Sequence, residues 1–95
     1  MTAASLARKE LVFIRALQDR ADVVLIRARR RSLRAFVEVA VRDLDQALKC
    51  LSLEDAEPSP MVVRAAIRLA GMALDRIEIA EKALREQGPN ALVRR

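Results

Sequence analysis

The chain predicts an all-α fold, a three-helix antiparallel bundle with helices at about 4–30, 33–54 and 60–87. Two observations carry that expectation. Apolar residues recur at three- and four-residue spacing along most of the sequence, the period of a helix with one buried face. The core must also be aliphatic, because 53% of the 95 residues are apolar while Trp and Tyr are absent and only two are Phe. Leu, Ile, Val and Ala in that proportion suit closely packed helices. A domain this small often completes the burial of such helices in an oligomer, so a homo-oligomer is expected.

No Gly or Pro occurs before Pro58, so backbone chemistry alone would permit one long helix over the first half. The phase of the apolar residues argues otherwise. At 100° per residue, Ile14, Leu17, Ala21, Val24, Leu25 and Ala28 share one face, and Leu33, Val37, Ala40, Leu44, Ala47 and Leu51 share another. The two faces differ by roughly 130°, whereas a straight helix drifts by only about 20° per heptad. A break near Arg29 to Ser32 follows, with Ser32 as the expected cap of the second helix. The alternative is a long kinked helix spanning both segments and packed against the third.

The second helix is a regular amphipath, and its outer face carries the acid-first pairs Glu38–Arg42 and Asp45–Lys49. Each contributes about 0.3–0.5 kcal/mol and marks a solvated surface. The acidic, proline-bearing stretch from Glu54 to Pro60 is a loop by composition. The third helix begins with Ser59 as cap and Pro60 in the first turn, where a missing N–H costs little. Val63, Ile67, Ala70, Leu74, Ile77, Ala80 and Leu84 form its expected inner stripe. Further apolar residues widen that face to about 220°, enough for more than one neighbour. Val62, Leu69, Met72, Leu74, Ile77 and Ile79 are therefore the candidate oligomer or partner interface. Gly88 and Pro89 are expected to end the helix, leaving residues 88–95 as a basic tail to this single domain.

Several chemistries lack their residues. There is no His and one Cys, so a single chain offers neither ordinary zinc ligation nor His-based catalysis. The two glycines, Gly71 and Gly88, are isolated, which leaves no glycine-rich phosphate loop. No metal, cofactor or enzymatic activity is expected. A lone Cys50 forms no internal disulfide, which agrees with a reducing, cytoplasmic setting. Neither four-residue apolar run, Leu11–Ile14 or Val23–Ile26, is long enough to span a bilayer.

The net charge is +5, and it is uneven. Residues 1–34 carry nine basic side chains against three acids, residues 35–60 two against six, and residues 61–95 seven against four. Arginines Arg27, Arg29, Arg30, Arg31 and Arg34 cluster at the expected first corner, with Arg20 along the same line. Arg85, Arg94 and Arg95 are expected to approach that corner from the end of the third helix. Arginines in a last helical turn complement its dipole, which is the structural reading. Arg34, however, would sit in a first turn, where the dipole disfavours it, and clustered positive charges repel. A bound polyanion or an acidic protein partner would offset that repulsion.

The expected function is therefore a non-enzymatic helical assembly module holding a nucleic-acid backbone at Arg20, Arg27, Arg29, Arg30, Arg31 and Arg34. An accessory subunit of a nucleoprotein complex would fit. No base-reading helix and no stacking aromatics accompany these arginines, so contact would be to phosphates. The alternative is an adaptor, inhibitor or secretion-type subunit that docks a partner through the third helix.

Overall fold

A computed structural model describes residues 3–51 and 59–93, with side chains over 5–51 and 59–86. Three helices pack together: α1 (Ala3–Arg27), α2 (Arg31–Leu51) and α3 (Pro60–Val93). Each touches both of the others, and α2 with α3 forms the most extensive pair. The molecule is a rod of 55 × 21 × 16 Å. Its radius of gyration, 15.6 Å, exceeds the roughly 12 Å of a compact domain of this length.

The break between α1 and α2 falls at Ala28 to Arg30, overlapping the expected Arg29 to Ser32 but beginning earlier, so that α1 ends at Arg27 and α2 already starts at Arg31. The last bond of α1 runs from the Ala28 N–H to the Val24 carbonyl, 2.7 Å, and the Arg34 N–H opens the α2 ladder by donating to the Arg30 carbonyl, 3.1 Å. Arg30, rather than Ser32, therefore occupies the cap position of α2. Ser32 already lies inside the helix, and its backbone conformation removes it from the capping role. Ser59 does cap α3: its Oγ accepts from the Val62 N–H at 3.2 Å, and its carbonyl accepts from the Val63 N–H at 3.0 Å. The residues between, 52–58, lie outside those described, as does the expected loop on them.

Each helix buries one seam at alternating three- and four-residue spacing. In α1 it is Ile14, Leu17, Ala21 and Val24, with Ala28 just beyond; in α2 it is Val37, Ala40, Leu44, Ala47 and Leu51. The α3 seam is Val63, Ala66, Ala70, Ala73, Ile77 and Ala80. This is a rotation away from the expected stripe, since Ile67 is 40% exposed and Leu74 only half-buried. Alanine wins the inner positions because a small side chain lets three helix backbones approach closely, while Leu74 packs against the seam from its margin. The fully covered stripe of α3 is narrow: Leu69, Leu74 and Leu84 pack at its margins, and Met61, Ile67, Met72 and Ile79 are exposed.

Gly88 and Pro89 do not end α3, which continues through both to Val93. A proline removes the hydrogen bond to the carbonyl four residues back and crowds it, so it weakens a helix without forbidding one near its end. No described helix is long and apolar enough to cross a membrane.

Candidate nucleic-acid interface

The bend at Ala28 to Arg30 concentrates charge because it follows the last residue of α1, Arg27, and precedes the first of α2, Arg31. Arg27, Arg29, Arg30 and Arg31 are all exposed. None of the four is hydrogen-bonded or ion-paired among the described residues. Four guanidinium groups within five consecutive positions thus face solvent together.

The other two candidate arginines are committed within the fold. Arg20 grips Glu81 of α3 in a bidentate pair, its Nη2 2.6 Å from Oε1 and its Nε 3.0 Å from Oε2. The hydrogen bond from Arg20 holds the Glu81 carboxyl below its ordinary pKa, against some desolvation and with help from the charges of Arg20 and Arg85. Arg34 turns its head away from α2: its Nη1 donates to the Leu25 carbonyl at 2.5 Å and to the Ala28 carbonyl at 3.4 Å. That removes the conflict with the α2 dipole. The guanidinium sits at the carbonyl end of α1, where positive charge is favourable and where orphan acceptors need donors. Arg85 is exposed and near enough to act on Glu81, while Arg94 and Arg95 lie outside the described residues.

Beside the bend is a shallow groove of ≈ 270 Å³, lined by Arg30, Ser32, Leu33, Phe36 and Ile79. Its apolar wall is held by Arg76 of α3, whose guanidinium carbon lies 4.7 Å from the Phe36 ring centroid. Neither this contact nor the α1 carbonyl cap formed by Arg34 was visible from helical spacing. Both depend on which residues the tertiary packing brings together.

Of the candidate interface residues on α3, Met72 and Ile79 are exposed, at 49% and 58%. Val62, Leu69 and Leu74 are half-buried. Ile77 is fully buried in the chain's own core and so is closed to any partner, a correction that follows from the rotation of the seam. Among the described residues no cluster of His, Cys, Asp or Glu could hold a metal ion. No family model matches the chain, and neither curated proteins nor solved structures show a significant similarity to it.

Proposed function

We propose that this chain is a small, non-enzymatic helical module that holds a nucleic-acid backbone at Arg27, Arg29, Arg30 and Arg31. The observation that supports it is the exposure of these four side chains, without an acidic partner among the described residues, around one helix bend. Like charges kept that close are unfavourable alone, and a line of phosphates relieves them. Guanidinium groups suit this role because their forked donors match phosphate oxygens. The absence of a base-reading helix makes the contact one of charge and shape. Arg20 and Arg34 serve the fold and are not part of the contact.

In this reading the helices run up, down and up. The 3.4 Å hydrogen bond from Gln18 to Asp45 and the reach of Arg34 to Leu25 support that course, since both cross from α1 to α2 around the bend. A cytoplasmic setting agrees with the single free cysteine.

Fluorescence anisotropy with a labelled DNA or RNA duplex tests the proposal. Affinity should fall with salt at a logarithmic slope of about −3 to −4, from three or four phosphate contacts. Glutamine at Arg29, Arg30 and Arg31 should weaken binding at least about tenfold and flatten that slope. The same net charge removed at Arg8, Arg15 and Arg42, all exposed, should cost much less. Equal losses from both triple variants, or no binding near 50 mM salt, would reject the arginine corner as a site.

A second reading, docking to another protein, has its own observation. Met61, Met72 and Ile79 are exposed on the outer side of α3 at 79%, 49% and 58%.

A further inference from the structure

The outward side of α3 holds a residue that the fold does not explain. Gly71 lies mid-helix and exposed, has no positive φ, and a Cβ built on it would meet nothing within 4 Å. A glycine there costs up to about 1 kcal/mol relative to alanine, and no contact among the described residues requires its small size. Close approach of another helix would use it.

The residues around Gly71 indicate which helix. Arg64 lies seven positions before it and Glu78 seven after; Arg68 lies three before and Asp75 four after. All four are exposed, and none has an ion pair among the described residues. Glu78 also acts electrostatically on Arg20 across the α1–α3 seam. The apolar residues follow the same symmetry, with Met61 ten positions before Gly71 and Ile79 eight after, and Met72 beside the centre. At 1.5 Å per residue, every such pair falls within about 3 Å of a common level when two α3 helices run in opposite directions across Gly71.

We propose that the outer face of α3 is the interface with a second copy of this chain, the two α3 helices crossing antiparallel at Gly71. Arg64 and Arg68 of each copy then meet Glu78 and Asp75 of the other, Ile79 packs on Met61, and the two Met72 side chains meet near the axis. The pairing is isologous, so charge and apolar complementarity close after two copies and build no filament. A helix face bearing random charges would have no such centre. The available surface agrees: the chain exposes 6954 Å², against about 5,500 Å² for a compact monomer of its mass. A standard interface covers about 800 Å² of each partner.

Sedimentation equilibrium of the full chain at low salt tests the proposal. The wild type should be a dimer. Arg64→Glu with Arg68→Glu should weaken it at least about tenfold, as should Asp75→Arg with Glu78→Arg. Mixing the two double variants should restore dimers, because each then meets its complement. Gly71→Leu has open space within the chain, so circular dichroism should show an unchanged or stronger helix while dimerisation falls at least about tenfold. A monomer at about 100 µM and low salt would overturn the proposal. So would a dimer indifferent to Gly71→Leu, or double variants that fail to pair when mixed. None of these outcomes bears on the arginine corner, which lies on α1 and α2 and is read by its own binding assay.

Discussion

What separates the arginines of this chain is the group each one touches rather than their place in the sequence. Arg20 and Arg34 end on a carboxylate and on carbonyl oxygens, whereas Arg27, Arg29, Arg30 and Arg31 end in solvent. The carboxylates divide in the same way, and in opposite senses. Glu81 has its pKa lowered chiefly by the Arg20 hydrogen bond, so its contribution to stability is present above the ordinary glutamate range and is lost as pH falls through the lowered value. Glu10 has its pKa raised by desolvation, because it points along the buried side of α1 between Ala7 and Ile14. The folded state therefore takes up a proton at Glu10 more readily than the unfolded chain, and stability rises as pH falls through its raised pKa. Thermal denaturation between pH 7 and 3 should show a shallow rise in stability just above the ordinary glutamate range, then a decline below it. Glu10→Gln should remove the rise and keep the decline. A profile with no rise in the wild type would mean that Glu10 is fully hydrated.

At the scale of the helix, the buried seams explain how far the sequence could be read. The α2 seam was legible residue by residue, because charged positions such as Glu38, Arg42 and Asp45 surround it and leave one phase for the apolar side chains. In α3 apolar residues occupy most of the circumference, so periodicity could not choose a phase. Large Ile67 and Leu74 outweighed Ala66 and Ala73 in that reading, although it is the alanines that three close backbones admit. The position of the arginine corner was legible from the same phase shift that located the break. The commitment of Arg20 was not, since Glu81 lies sixty-one residues away. The rotated seam has a direct consequence. Ala73→Leu should cost about 1–3 kcal/mol by overpacking the seam, while Ile67→Ala should cost less than about 1 kcal/mol. Urea denaturation of the two variants compares them, and the reverse order would return Ile67 to the core.

At the scale of the molecule, the length of the rod and the thinness of its core belong together. Nine of the seventeen buried apolar residues among those described are alanines, which bring the helices close but remove little apolar surface per residue from water. A core of that kind gives limited stability to a single chain, and the exposed Met61, Met72 and Ile79 add a further cost in hydration. The proposed antiparallel pairing at Gly71 would relieve both and, because Arg20 stands level with Glu81, would send the two arginine corners to opposite ends of the assembly. Folding is then linked to association, so the midpoint of thermal unfolding should rise with protein concentration. An increase of roughly 3–6 °C per tenfold concentration is expected for a domain of this size, from half of the tenfold mass-action term falling on each chain. Gly71→Leu, which keeps its helix but loses the close crossing, should melt at one temperature over the same range. If the wild type behaves as that variant does, the alanine seams suffice for a free-standing monomer and the outer face of α3 is only a solvated one.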